Sequence, residues 1–214
     1  AANVLRAAET LFTEARSFDA RTSSQTFRIA ASDYLDPLFL PRLVADIQRQ
    51  APLAKVEIHA LTREGDYRAQ LALGEIDLVI GNWLQPPDDL HMARLFSDEV
   101  VSLVSRDHPA VRRGWDEAAW LGAEHIAPMP THQGARGIID QVLDGLGLQR
   151  HIAVRSAYFS LIPEMVAGTR LVLTTGRRYC ERVASRLPLV MLPCPVALPP
   201  LLYYQLWHAR SQHS

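Results

Sequence analysis

The stretch TFRIAASDYLDPLFLPRLVADIQRQAPLAKVEIHALTREGDYRAQLALGEIDLVI, residues 26–80, decides the fold of this chain. Short apolar runs alternate in it with amphipathic segments, which predicts strands at 26–31, 56–61 and 76–80 and helices at 35–50 and 64–73. The last run, IDLVI, is apolar throughout, as is typical of a strand buried on both faces of a sheet. This order predicts a parallel sheet with helices on its two faces.

The ends of the two helices carry recognisable signals. Asp33 or Asp36 is predicted to cap the first helix, with Pro37 in its first turn. Gly74 is predicted to end the second, since glycine readily adopts the left-handed conformation found there.

The rest of the chain repeats the pattern after a long extended stretch at 92–105. Further helices are predicted at 115–120, 135–146, 161–167 and 177–187, and further strands at 124–127, 152–155, 171–174 and 189–192. We expect the closing strand, LLYYQLWHA, to pair back with the first sheet. The prediction is an α/β protein with two Rossmann-like lobes joined by two hinge strands. Residues 26–96 plus 198–214 form lobe I and residues 97–197 form lobe II.

Composition sets limits on function. The chain has 214 residues, of which 48% are hydrophobic, enough for a sizeable core, and a net charge of −1. A domain that grips duplex DNA carries a clear basic excess, so these residues are not expected to hold DNA themselves. No apolar run is long enough to cross a membrane, and no signal peptide is visible, so a cytoplasmic location is expected. Cys180 and Cys194 are interpreted as buried reduced thiols, with a disulfide or redox switch as the alternative.

Residues 3–17 are predicted to form an amphipathic helix with one apolar stripe. No later segment is needed to cover that stripe. We therefore expect it to pack against a partner helix.

Four segments together resemble the LysR-type transcriptional regulators. They are FRIAASDYLDPLFLPRLVADIQRQAPLAKVEI, LALGEIDLVIG, SLVSRDHPAV and PPLLYYQLWHAR. Each motif alone is weakly specific, but their order covers nearly the whole chain, and the last resembles the branch of nodulation and aromatic-catabolism regulators. The sequence differs from the pattern of these regulators at two places. Ala30 stands where a glycine is frequent, and VAGTRLVLTTG replaces a glycine-rich segment, so the local turn and the pocket wall there are expected to differ.

The resemblance implies an effector-binding domain with a fold like that of type II periplasmic binding proteins. Residues 1–20 would be the remnant of a linker helix for dimerisation, and the working protein a homodimer or homotetramer. DNA would be contacted only through an N-terminal winged helix-turn-helix domain absent from these residues. The expected ligand is a small-molecule effector, carboxylate-bearing and of aromatic type, and no membrane partner is expected.

The cleft between such lobes lies beyond the carboxyl ends of the strands, where loops and helix N-termini can hold an anion. Ser32, Asp33 and Tyr34 follow the first strand, and they either contact a ligand or only cap a helix. The resemblance, in which this turn lines the effector cleft, favours ligand contact. Asp33 would repel an anion, so a capping role or a contact with a ligand hydroxyl is expected for it.

Lobe II supplies the other candidates. Thr131, His132, Gln133 and Arg136 lie in a loop between a strand and a helix, and Arg136 could clamp a carboxylate through two hydrogen bonds. Its alternative is an ordinary exposed arginine, disfavoured by the helix dipole. Aromatic side chains at a cleft edge suit stacking on a planar ligand, although core packing would also account for them. The aromatic candidates are Trp83, Tyr158 and Phe159.

Other function classes fare worse. The eight histidines show no metal-ligand spacing, and no nucleophile elbow, dinucleotide-binding or phosphate-loop motif is present, so neither an enzyme nor a cofactor is expected. A periplasmic solute-binding protein shares the predicted architecture and remains the alternative. The helix at 3–17 argues for the regulator.

Overall fold

In the computed structural model, which describes residues 19–61, 65–130 and 136–212, ten strands form two five-stranded sheets. The helix predicted at 3–17 and the candidate residues Thr131, His132 and Gln133 lie outside the described residues. The predicted α/β fold class with two sheet-based lobes is confirmed.

The first sheet has the strand order β2-β1-β3-β10-β4. The first three strands are parallel, and β10 runs antiparallel to both β3 and β4, so the predicted return of the closing strand to this sheet is confirmed. The strands are β1 (Thr26–Ala31), β2 (Lys55–Ala60), β3 (Leu78–Asn82), β4 (His91–Asp98) and β10 (Leu201–Trp207), and the helices are α1 (Phe39–Gln50) and α2 (Tyr67–Leu73).

The second sheet has the order β7-β6-β8-β5-β9. Its strands are β5 (Val100–Ser105), β6 (Glu124–Pro128), β7 (His151–Ser156), β8 (Val172–Gly176) and β9 (Leu189–Pro193). Its helices are α3 (Ala110–Arg113), α4 (Glu117–Leu121), α5 (Ile138–Gly145), α6 (Ile162–Ala167) and α7 (Arg177–Ala184), with single 3₁₀ turns at Phe159–Leu161 and Ala209–Gln212.

The chain crosses between the sheets twice, at Glu99 and again between β9 and β10. The single extended stretch predicted at 92–105 is therefore wrong in one respect, because it contains two strands that belong to different sheets. The hydrophobic pattern does not report this change, because the two strands follow each other with only Glu99 between them and no turn signal separates them.

The first helix begins later than predicted, at Phe39 instead of Leu35. Asp36 Oδ1 accepts a hydrogen bond from the Leu38 N–H (3.0 Å), and the Asp36 carbonyl accepts one from Phe39 N–H (2.8 Å), which makes a turn before the helix. No side chain caps the helix itself, so the prediction that Asp33 or Asp36 is its cap is wrong. Gly74 ends α2 with a φ of 75°, as predicted.

One buried apolar cluster joins the two lobes. It contains Ile29 and Leu35 from the first lobe, Trp120 and Leu143 from helices of the second, and Leu201 at the start of the returning strand. Because close-packed side chains resist sliding, this cluster fixes the relative position of the lobes near the crossings. A cavity opens beside it.

Candidate functional site

A cavity of about 860 Å³ lies between the two sheets. The wall from the first lobe comes from segments after β1 and β3 and from the start of α2, and the wall from the second comes from the end of β6, the start of α5 and β8. These are the carboxyl ends of parallel strands, where α/β proteins bind ligands. The cavity is large enough for a small organic molecule.

The predicted site residues fall into two groups. Tyr34, Trp83, Arg136 and Phe159 line the cavity. Among the described residues, three other candidates are not part of its wall, namely Ser32, Asp33 and Tyr158. Tyr158 is 69% exposed, so stacking on a ligand inside the cavity would require it to turn inwards.

Aromatic rings form two sides of the cavity. In the first lobe, the ring of Trp83 lies 6.0 Å from that of Tyr67. Between the lobes, Tyr34 meets Phe159 edge-to-face with 5.7 Å between ring centroids. Phe159 also packs at 4.8 Å against Tyr179 and is almost fully buried, so much of its surface belongs to the core of the second lobe.

Asp33 connects the lobes instead of capping a helix. Its Oδ2 accepts a hydrogen bond from the backbone N–H of Phe159 (3.2 Å), across 126 residues of sequence. Burial raises the pKa of the Asp33 carboxyl, while this hydrogen bond acts in the opposite direction. A second pair across the lobes, Arg182 Nε to Asp36 Oδ1, is 3.8 Å long.

Arg136 stands at an exposed edge of the cavity. Its Nη1 forms an ion pair with Asp144 Oδ1 on α5 (2.8 Å), and both side chains are more than a third exposed. Pairs of this kind contribute little to stability, about 0–1 kcal/mol, so a ligand anion could compete for the guanidinium. Arg136 keeps its role as a candidate carboxylate clamp.

Sequence reasoning missed three buried polar side chains of the cavity wall, which we call the floor and define as Asp140, Arg150 and Thr174. Arg150 Nε donates to Asp140 Oδ1 (2.7 Å), and the two side chains are only 3% and 5% exposed. Among the described residues, nothing accepts from Arg150 Nη1, donates to Asp140 Oδ2 or pairs with Thr174 Oγ1. All three residues line the cavity.

The charges around the floor do not cancel. Arg155 approaches the same carboxylate, with Nη2 3.8 Å from Asp140 Oδ2, so two guanidinium groups face one carboxylate. His125 adds no charge near neutral pH, since burial lowers its pKa to about 4. Asp140, Arg150 and Arg155 together carry one excess positive charge, but of the three only Asp140 and Arg150 line the cavity, so the excess favours an anion next to Arg150.

Metal-ligand clusters and membrane-spanning helices are both absent from the part of the chain that the structure describes. Within the three described segments of the chain, no three His, Cys, Asp or Glu side chains come together as metal ligands. In those same segments, no helix combines the length and apolar character needed to cross a membrane.

Residues 20–214 match the profile of a protein family described as LysR substrate binding domain. The chain is 26% identical over 207 residues to the HTH-type transcriptional activator NagR of Ralstonia sp, an alignment that covers 96% of this chain and 68% of that protein. It is 31% identical over 200 residues to Nodulation protein D 2 of Sinorhizobium fredii, covering 92% and 64% respectively. Across the first few such relatives, the chain spans between 55% and 68% of their length.

Solved structures give the same result. A probable transcriptional regulator from Pseudomonas aeruginosa superposes with a TM-score of 0.81 at 27% identity, covering 99% of this chain and 71% of that one. The BenM effector binding domain with its effector benzoate superposes with a TM-score of 0.67 at 16% identity, covering 88% and 85%. At that identity the second likeness shows the fold alone.

Proposed function

Because the chain belongs to the LysR substrate-binding domain family, we propose that it senses a small carboxylate-bearing effector of aromatic type in the cavity between its lobes. The resemblance to LysR-type regulators predicted from the sequence is confirmed, and with it the fold like that of type II periplasmic binding proteins and the effector-sensing role. The alternative of a periplasmic transport protein is set aside. The family consists of transcriptional regulators, and we propose that this chain catalyses no reaction.

The cavity is the observation that carries this proposal. It offers aromatic surface on two sides, from Trp83 and Tyr34, and a buried guanidinium group, that of Arg150, at its floor. A flat apolar ring fits the aromatic surface, and a carboxylate fits the positively charged guanidinium group. That a protein of the same fold holds benzoate supports the proposed ligand class.

The rest of the working protein enters as part of the proposal. Residues 1–20 would form the linker helix, and an N-terminal winged helix-turn-helix domain would contact DNA. We propose a cytoplasmic homodimer or homotetramer whose subunit geometry changes when the effector binds, with no cofactor. Such coupling requires an effector that binds one arrangement of the lobes or subunits more tightly than the other.

Thermal unfolding of this chain against benzoate, salicylate, shikimate and succinate tests the ligand class. A ligand that binds only the folded state at a hundred times its Kd adds about 2.7 kcal/mol, or about 5–10 °C in Tm for a chain of this size. We expect the aromatic acids to raise Tm in this range.

Two variants control the experiment. Trp83→Leu, which removes a ring from the cavity wall, is expected to reduce the shift, whereas Trp207→Leu, outside that wall, is expected to leave it unchanged. Arg136→Ala reports on the clamp at the cavity edge. If no acid raises Tm in the unsubstituted chain, the proposed ligand class is wrong.

A further inference from the structure

We propose that Arg150, at the floor of the cavity, is the residue that binds the carboxylate of the effector and sets selectivity for anions. This inference rests on the proposed function, since it identifies the anchor for the ligand class proposed there. It assigns the role to a residue other than Arg136, the arginine that the sequence singles out.

The hydrogen bonds of Arg150 leave a position open for a ligand. Its Nε is taken by Asp140 Oδ1 (2.7 Å), which holds the guanidinium in one orientation. Its Nη1 is buried, and no described residue accepts a hydrogen bond from it. A buried donor without an acceptor costs free energy, so a ligand oxygen that reaches Nη1 recovers what the protein alone leaves unmade.

Burial makes Arg150 a stronger anchor than Arg136. The Arg150 side chain is 3% exposed, whereas that of Arg136 is 50% exposed. Charges attract more strongly where water is excluded. The free-energy cost of removing Arg150 from water is incurred when the chain folds and not again when the ligand binds. A carboxylate therefore gains more at the floor than at the edge.

The excess charge favours an anion over a neutral ligand. Asp140 is shared between Arg150 and Arg155, which lies outside the cavity wall, so the charge of Arg150 is only partly balanced and a ligand carboxylate would complete the balance. The N-terminal end of α5, with Gly137 and Ile138, also lines the cavity. The N-terminus is the positive end of the helix dipole, so it favours an anion in the cavity. A neutral amide of the same shape carries only a partial charge on its oxygen and would gain much less from both interactions.

Thr174 gives the floor a polar group that suits a second ligand atom. Thr174 lies directly opposite Ser102 in the ladder between β5 and β8, so the two side chains share a face of the sheet. Ser102 Oγ accepts from Trp120 Nε1 (3.0 Å), and Arg150 Cζ lies 5.9 Å above the Trp120 ring. The buried Thr174 hydroxyl therefore lies on the same face of the sheet as Ser102, which holds the Trp120 ring that packs against Arg150.

The test compares benzoate with benzamide, which has nearly the same shape but no charge, by titration calorimetry on this chain. The quantity measured is the ratio of the benzamide Kd to the benzoate Kd. We expect the double substitution Asp140→Asn/Arg150→Gln to lower this ratio about tenfold or more, since it removes the anchor. Replacing both charges together also avoids leaving one buried charge unpaired, which protects folding.

Two single variants sharpen the result. Asp140→Asn keeps an acceptor for Arg150 Nε but removes the competing negative charge, so the ratio is expected to rise. Arg136→Gln is the matched control at the cavity edge and is expected to change the ratio less than threefold.

The outcomes separate this inference from the proposed function. If the chain binds benzoate and the double variant keeps the same ratio, Arg150 is not the anchor and the proposed function stands. If Arg136→Gln abolishes the preference instead, the anchor lies at the edge, which also overturns the inference. If the unsubstituted chain binds none of the four acids in the unfolding panel, the proposed ligand class itself fails.

Discussion

Two arginines near the cavity show how burial changes what an ion pair does. Arg136 and Asp144 meet at 2.8 Å in partial contact with solvent, while Arg150 and Asp140 meet at 2.7 Å with almost none. The exposed pair is screened by water and contributes little. The buried pair holds its geometry because either charge alone would be costly.

We expect Arg150→Met to lower the free energy of unfolding by about 3–5 kcal/mol, because it leaves the carboxylate of Asp140 buried with only the more distant Arg155. Arg136→Met should cost about 0–1 kcal/mol. Urea denaturation of both variants measures the difference. Equal losses would mean that the buried pair carries no special energetic weight.

His125 makes the stability depend on pH. Burial lowers its pKa from 6.5 to about 4, while its Nε2–H donates to the Trp120 carbonyl (2.7 Å). Between these pH values the unfolded chain binds a proton that the folded chain does not, so stability falls as pH falls from 6.5 towards 4. The loss for this one group is about 3 kcal/mol.

His125→Gln provides the comparison for denaturation at pH 5 and pH 7. Its side-chain amide can donate to the same carbonyl but does not titrate, so we expect a shallower dependence on pH in the variant. Identical slopes would show that His125 does not carry the effect.

Part of this site could be read from the sequence and part could not. Tyr34, Trp83, Arg136 and Phe159 were identified because each follows a predicted strand or precedes a predicted helix, and the structure places all four in the wall. Arg150 follows no motif and pairs with a residue ten positions earlier. A signal existed in Asp140, a charged residue beside Ile139 and Leu143 on the buried side of α5.

At the scale of elements, the start of α7 ties a helix of one lobe to a strand of the other. Asp98, the last residue of β4, accepts the Arg178 N–H with both carboxylate oxygens (3.3 and 3.1 Å). The N-cap residue of this helix is Gly176, where an added Cβ would collide with the same carboxylate. Glycine is needed here for space, since its φ of −63° is open to any residue.

Gly176→Ala is therefore expected to destabilise the chain by about 1–3 kcal/mol through this overlap. Asp98→Ala should cost about 1 kcal/mol by removing the cap. In the double variant the overlap is gone, so the two losses should not add. Strict additivity in urea denaturation would contradict the proposed contact.

The strands were the best-predicted elements, and β1 has the predicted bounds. The two clear errors share a cause. The period of the apolar residues indicates which side of a segment is buried. It does not show that the turn at Asp36–Phe39 delays the start of a helix, or that the chain passes from one sheet to the other at Glu99. Both depend on hydrogen bonds that the hydrophobic pattern does not encode.

For the whole molecule, the hydrogen bond from Phe159 N–H to Asp33 Oδ2 is one of the contacts that hold the two lobes together beside the cavity. The Tyr34–Phe159 ring contact lies beside it. A ligand that contacts both lobes binds only to molecules whose lobes are together. Any contact that holds the lobes together increases the fraction of such molecules and therefore lowers the apparent Kd of the ligand.

Asp33→Ala should therefore increase the radius of gyration of the ligand-free chain in small-angle scattering and weaken benzoate binding. The matched control is Asp46→Ala, which removes an exposed pair with Arg49 on α1. An unchanged radius with unchanged affinity would show that this hydrogen bond does not hold the lobes together.

The same hydrogen bond also has a consequence in time. Contacts between the lobes oppose any parting of the lobes that uptake of a ligand requires, so we expect uptake to be slower than diffusional encounter and release to be governed by the rate at which the lobes part. A sensor with this property has a long residence time. Its response would outlast a brief pulse of the effector and average over rapid changes in concentration.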